Sequence, residues 1–291
     1  MEFKSLLSKP YRIYRHNFFQ KIDHIRGSYR LMVILKKIAE SGLEKVEEEP
    51  EPIYQKEWDN LLILDACRHD IYEEVEGETE SRITLGSNSK EFIRKTFSSG
   101  DFSDTVYVTG NPHFFPDIFE DLTGRRPDEV FAEVFNTYET DWDEENGVVM
   151  PQSLIRDAKT AKKLFPDKKL IVHFMQPHTP YVKSDIPQSP NNEIGGDSGI
   201  ESELRRAEKG EISRKYVVRD YKENLEFVMS SVKELAIQLE GKTAITADHG
   251  ELLGEAGLYG HKSGSRVKKL RKVPWDEIDI SKDLEGVSLG E

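Results

Sequence analysis

One cysteine, Cys67, in 291 residues excludes an internal disulfide framework and a zinc cluster built on thiolates. No apolar run approaches the ~20 residues needed to cross a bilayer. The N-terminus also lacks the uninterrupted apolar core of a secretion signal. From these absences the chain reads as soluble, intracellular and cytoplasmic, in a reducing compartment. Positive charge is scarce beside negative: 41 Lys and Arg against 54 Asp and Glu leave a net charge of -13. That balance argues against a nucleic-acid partner. It leaves a phosphorylated substrate open, because a cation and a few local basic groups can reverse the field inside a cleft. There is no Gly-rich P-loop and no dinucleotide-binding fingerprint.

What is present divides into two stretches. Residues 1–52 begin basic and aromatic (Lys9, Tyr11, Arg12, Tyr14, Arg15, Phe18, Phe19), become helical in pattern from Tyr29 to Lys45, and end in the linker Glu47-Glu48-Glu49-Pro50-Glu51-Pro52. They read as a helical appendage, with residues 1–30 as a candidate peripheral contact for an anionic membrane. Residues 53–291 read as the main domain. Apolar runs predict strands over 60–64, 105–109, 130–135, 170–174 and 243–246. Helical spacing predicts helices over 89–97, 152–164 and 216–239, the last carrying Tyr221, Leu225, Val228, Val232, Leu235 and Leu239 on one face. Strands alternating with helices imply an α/β fold with a mostly parallel central sheet and helices on both faces. The polar stretch 183–214 reads as a surface excursion, either a lid or a disordered loop.

Five segments carry candidate chemistry. The strand 243–246 runs into Asp248-His249-Gly250-Glu251, and the strand 60–64 runs into Asp65. Carboxylate and neutral imidazole are the usual ligands of a divalent metal. Open α/β sheets collect their sites at the C-terminal strand edge, so Asp65, Asp248 and His249 can meet there. Gly86-Ser87-Asn88-Ser89 opens a predicted helix. A hydroxyl there either caps the helix or acts as a nucleophile whose anionic substrate faces backbone N–H groups. Ser89 is the first choice and Ser87 the reserve. His178, in Gln176-Pro177-His178-Thr179-Pro180, sits between two prolines and can bind a phosphoryl oxygen or protonate a leaving group. His173 lies inside the strand pattern and reads as buried. His261, in Gly260-His261-Lys262, is preferred over Lys262 as a contact to an anionic group, and Arg68 is a further substrate-binding candidate. Asn111-Pro112-His113 follows a strand and could line the cleft, but the turn reading is stronger, and Cys67 reads as buried packing.

Taken in order, Leu64-Asp65-Ala66-Cys67-Arg68, Gly86-Ser87-Asn88-Ser89, Gln176-Pro177-His178-Thr179-Pro180-Tyr181, Asp248-His249-Gly250-Glu251, Gly260-His261 and Arg271-Lys272-Val273-Pro274-Trp275 resemble the alkaline phosphatase superfamily, in its sulfatase-like branch. The resemblance implies an α/β sandwich with one divalent metal ion (Mn, Mg, Zn or Ca). Its ligands would be Asp65, Ser89, Asp248 and His249, with His178 and His261 facing the substrate. The Cys-x-Pro-Ser-Arg segment of true sulfatases is missing, and Ala66 stands where a second acid is usual. The pattern is nearer to the single-metal phosphoglycerol-transferase type. The expected activity is a metal-dependent hydrolase or transferase acting on phosphate esters through Ser89, on a small-molecule or lipid- or glycan-linked substrate. A sulfate ester hydrolase and a catalytically inert binding protein are the alternatives.

Overall fold

The computed structural model describes residues 31–185 and 202–278. Residues 1–30, expected to make a membrane contact, lie outside them. The described residues divide into two units between residues 43 and 44. In the first, residues 31–41 form helix α1. The segment expected to be a linker belongs to the second unit. There Val46 N–H donates to the Arg266 carbonyl at 2.9 Å and Glu51 N–H to the Ile83 carbonyl at 2.8 Å. No helix among the described residues is long and apolar enough to cross a membrane.

The second unit is built on a seven-stranded sheet of order β2-β11-β8-β1-β7-β3-β4. Its strands are β1 (Asn60–Asp65), β2 (Glu80–Ile83), β3 (Phe102–Thr109), β4 (Phe131–Asn136), β7 (Lys169–Pro177), β8 (Thr243–Ala247) and β11 (Lys272–Ile278). Strands β8, β1, β7, β3 and β4 run parallel, and β11 is antiparallel to both β8 and β2. All six residues of β1 and all five of β8 are buried, the signature of strands covered on both faces. Alternate side chains feed two different cores. Leu62 and Leu64 join Val108, Val172 and Ile245 under α2 (His69–Glu76), α7 (Pro151–Leu164) and α9 (Arg214–Ala236). Leu61 and Ile63 join Tyr107 and Ile171 under α3 (Ser89–Phe97) and α4 (Pro116–Thr123). One-turn helices α5 (Pro127–Val130) and α6 (Thr137–Thr140) and the short hairpin β5 (Trp142–Asp143) and β6 (Val148–Val149) connect β3 and β4 to α7, and a second hairpin, β9 (Leu252–Glu255) and β10 (Leu258–Gly260), follows β8.

The five expected strands and three expected helices all form. The long helix ends at Ala236, three residues early, and Leu239 stays buried in the turn beyond it. Part of the 183–214 excursion is ordinary core structure: α8 (Glu203–Glu208) buries Leu204 and Ala207. Residues 186–201 lie outside the described chain. Strand β11 was not expected, since Pro274 interrupts its apolar pattern. Its pairing with β8 begins only at Trp275, so the missing proline N–H lies beyond that ladder.

Candidate metal centre and nucleophile

Strands β8, β1, β7 and β3 are neighbours and parallel, so the residues at their C-terminal ends gather on one edge. Asp65 closes β1, Asp248 and His249 follow β8, His178 follows β7 and Asn111 follows β3. Past Asp65 the chain turns through Ala66 at φ 60, a left-handed conformation costly for a residue with a Cβ. The turn is held by Ala66 N–H donating to Asp248 Oδ1 at 3.1 Å and by the Tyr221 hydroxyl donating to the Ala66 carbonyl at 2.7 Å. Gly250 permits the turn after His249: a Cβ there would stand 2.1 Å from the Lys269 carbonyl oxygen. Gly86 does the same before α3, where a Cβ would meet Phe92 N at 2.4 Å.

The structure brings Asp65, Ser89, Asp248 and His249 together. The Ser89 hydroxyl lies 3.2 Å from His249 Nε2 and 3.4 Å from Asp65 Oδ2. His249 Nε2 is 3.5 Å from Asp65 Oδ1 and 3.5 Å from Asp248 Oδ2. His249 Nδ1 sits 2.8 Å from the Gly250 carbonyl, which can only accept, so Nδ1 carries the proton and Nε2 presents a lone pair. Burial, reinforced by the neighbouring His261, lowers the His249 pKa to about 3, so the ring is neutral at physiological pH. Asp248 Oδ1 takes two backbone N–H groups, from Ala66 and His249, while its buried Oδ2 accepts no hydrogen bond among the described residues. Acceptor atoms of Asp65, Asp248 and His249 therefore face one another within 4.8 Å. Lone pairs so arranged repel unless positive charge lies between them. Two carboxylates, an imidazole and a hydroxyl, with no thiolate, suit a divalent cation.

A second imidazole-carboxylate group adjoins the first. His261 Nδ1 is 3.1 Å and 3.2 Å from the two Glu251 oxygens, and His178, His261 and Glu251 offer ligand atoms within 4.8 Å of each other. His178 is aligned by its Nδ1–H donating to the Thr179 carbonyl at 2.6 Å. The His261 ring centroid lies 4.4 Å from that of His249 and 5.3 Å from that of His178, so the three rings form a row beginning beside Ser89. Burial pushes the Glu251 carboxyl up, but the charge and hydrogen bond of His261 outweigh it and hold the group below its ordinary range.

Other expected residues sit differently. Ser87 is fully buried and engaged with Glu91 and the 262–265 backbone, which leaves Ser89 as the hydroxyl beside Asp65 and His249. The Arg68 guanidinium is used up internally. It is bidentate on Asp70 at 2.8 and 3.0 Å, bound to Glu255 at 2.8 Å and to the Glu251 carbonyl at 3.3 Å. Arg68→Ala is expected to cost about 2 kcal/mol in urea unfolding, because the half-buried carboxylates of Asp70 and Glu255 lose charged hydrogen bonds and the Glu251 carbonyl loses a donor. A loss under about 0.5 kcal/mol, the range of an exposed pair, would refute the strut role. Cys67 is buried, and burial together with Asp70 raises its thiol pKa well above normal, so it is not a nucleophile.

Two residues at the candidate site carried other first readings in the sequence, a turn for Asn111 and plain burial for His173. Asn111 makes the expected turn, its Oδ1 accepting from His113 N–H at 3.0 Å, but its Nδ2 also donates to Asp65 Oδ2 at 3.3 Å. His173 is buried as expected, yet its Nε2 points at Asp248 Oδ2 from 3.8 Å while Nδ1 meets the Tyr107 hydroxyl at 3.0 Å. Asn111 sits just beyond the end of β3, the kind of place that marks Asp65, whereas His173 lies inside β7 and no local pattern marks it.

The mostly parallel sheet with helices on both faces, and a hydroxyl, two carboxylates and an imidazole gathered at its C-terminal edge, make an α/β sandwich whose fold is shared by solved phosphoethanolamine transferase domains. No family model matches the sequence, and no curated protein does. Solved structures do. The soluble domain of lipooligosaccharide phosphoethanolamine transferase A from Neisseria meningitidis is 16% identical, with 79% of this chain and 78% of that one covered and a TM-score of 0.51. The integral membrane form of that enzyme is 14% identical, with 96% and 60% covered and a TM-score of 0.51, so this chain spans less than two thirds of its length. The C-terminal periplasmic domain of a phosphoethanolamine transferase from Campylobacter jejuni is 14% identical, with 78% and 80% covered and a TM-score of 0.50. At such identities the likeness is one of fold. It also corrects the cytoplasmic expectation: similar domains are described as periplasmic and as parts of an integral membrane protein. The inference failed because the surface and core of a water-soluble domain look the same on either side of a membrane.

Proposed function

We propose that this chain is a metal-dependent phosphotransferase or phosphoesterase, with its catalytic domain in residues 53–291, acting on a lipid- or glycan-linked phosphate ester. The observation that carries the reading is the Ser89 hydroxyl, 3.2 Å from a neutral imidazole and 3.4 Å from a carboxylate at the mouth of α3. Asp65, Ser89, Asp248 and His249 would hold the cation, which when bound lowers the pKa of a nearby hydroxyl and polarises a substrate oxygen. Ser89 Oγ forms a bond to phosphorus as the ester P–O bond breaks, and its proton leaves toward the acceptor cluster. Backbone N–H groups of the first turn of α3 face the phosphoryl oxygens. His178 and His261 neutralise the charge that develops or protonate the departing oxygen. Water or an acceptor alcohol then releases the phosphoserine. Asn111 keeps Asp65 oriented.

A plain serine favours phosphorus over sulfur, and the lone cysteine is buried just before α2 instead of lying at the mouth of α3. The similar proteins described as phosphoethanolamine transferases point the same way. Residues 1–30, where the basic side chains from Lys4 to Arg30 outnumber the two acids Glu2 and Asp23, would bring the domain to an anionic lipid surface. The test is a parallel screen of phosphodiesters, phosphomonoesters and sulfate esters with metal analysis of the purified protein. Turnover of a phosphate ester that stops on chelation and returns with a divalent cation is the expected result. Chelator-insensitive turnover, or a preference for sulfate esters, would refute the reading.

A further inference from the structure

Glu91 is a carboxylate that neither the cation set nor the row of imidazoles uses. It is 4% exposed, on the first turn of α3, two residues beyond Ser89. Its Oε2 accepts from Ser87 N–H at 3.0 Å, from Gly264 N–H at 3.0 Å and lies 2.7 Å from Ser87 Oγ. Its Oε1 meets Lys95 Nζ at 2.6 Å. Ser87 Oγ in turn accepts from Ser265 N–H at 3.1 Å and sits 2.7 Å from the Lys262 carbonyl, donating its one proton to either oxygen. One buried side chain thus binds the loop that presents Ser89 to the loop that follows His261. These loops are more than 170 residues apart in the chain.

We propose that Glu91, acting with Ser87, is a positioning residue that sets the spacing between the nucleophile Ser89 and His261. The inference rests on the reading of Ser89 and His261 given above and deepens it. His261 is turned by Glu251, but a side-chain contact to Glu251 fixes only the ring; the backbone that carries it is held from the far side by Gly264 and Ser265. A phosphoryl group bridging Ser89 and His261 requires both halves in register, and catalysis falls steeply with small misplacements. Glu91 is suited to this because one of its carboxylate oxygens collects donors from both loops while Lys95 holds the other.

The decisive measurement is a double-mutant cycle with His261. Glu91→Ala is expected to lower kcat/KM by about tenfold or more, and His261→Ala by at least as much. The double variant should match His261→Ala alone, because a clamp that works through His261 has nothing left to position. Glu91→Gln keeps an oxygen where Oε2 stands and should recover most of the loss. Additive effects, or wild-type kcat/KM in Glu91→Ala, would overturn the proposal, as would a Gln variant no better than Ala. Should Glu91→Ala fail to fold, the cycle runs on Glu91→Gln with Ser87→Ala. Amide hydrogen exchange reads the clamp without any reaction: Gly264 and Ser87 should exchange about tenfold faster in Glu91→Ala than in the wild type. Unchanged exchange ends the proposal. Faster exchange in a protein that turns over no ester would leave the clamp standing and the functional reading overturned.

Discussion

Asn in place of Asp248 is expected to weaken cation binding by about a hundredfold or more and to lower turnover by about a thousandfold. Oδ1 of an Asn can still accept from Ala66 and His249 N–H, so the turn at φ 60 survives. The Oδ2 position changes from an anionic acceptor to a donor, and the charge that balances a cation is gone. Ser89→Ala is the companion experiment. It removes the attacking oxygen while leaving both carboxylates and the imidazole, so turnover should fall at least as far while cation affinity changes much less. Calorimetric titration of the chelated protein, run beside steady-state kinetics, separates the two outcomes. Full turnover in Ser89→Ala would remove this serine from the mechanism. Undiminished cation binding in Asp248→Asn would place the ion elsewhere.

Phe97→Ala carries the largest expected stability effect. Phe97 is fully buried at the last turn of α3. Its ring meets Phe92, Phe102, Tyr107, Phe114, Phe119 and Phe131 with centroids 4.9 to 6.1 Å away. These partners come from α3 itself, β3, β4, α4 and the turn after β3, so they have little freedom to close the void. Truncating a buried Phe costs about 3–5 kcal/mol, and the lost aromatic edge contacts put this site toward the upper end. In a domain of this size that is a fall in Tm of about 10 °C, readable by calorimetry, with a matching shift in urea midpoint. A cost below about 1 kcal/mol would mean the cluster repacks freely. The same helix presents Ser89 at its other end, so slack at Phe97 should also reduce turnover well below the unfolding temperature.

The parallel core was legible because its strands are buried on both faces. Leu61 to Leu64 are all apolar, and Thr243 to Ala247 carry only small or apolar side chains with no exposed side. Where the apolar pattern was broken, the reading failed. Pro274 hid β11, and the short β2, with an exposed Glu80, offered too few apolar positions to stand out. The same logic divides the site. Asp65, Asp248, His249 and His178 were legible because each follows a strand end, where a polar residue after an apolar run stands out. Local pattern ranked Ser89 ahead of Ser87 without separating their surroundings. In the fold Glu91 engages Ser87, while Ser89 faces His249. Arg68 read as an open cation, and only the folded neighbours Asp70 and Glu255 reveal that it is already bound.

The amino-acid order alone determined the alternation of strands and helices, hence a parallel sheet and the edge on which polar strand ends must gather. Those features follow from short-range rules: backbone sterics, side-chain periodicity and the burial of apolar runs. Which polar groups meet at that edge was decided only by the tertiary structure. Contacts among Ser89, His249 and Asp65, or between Glu91 and Gly264, join residues far apart along the chain. Their distances depend on strand order and loop packing, which no local stretch of sequence encodes.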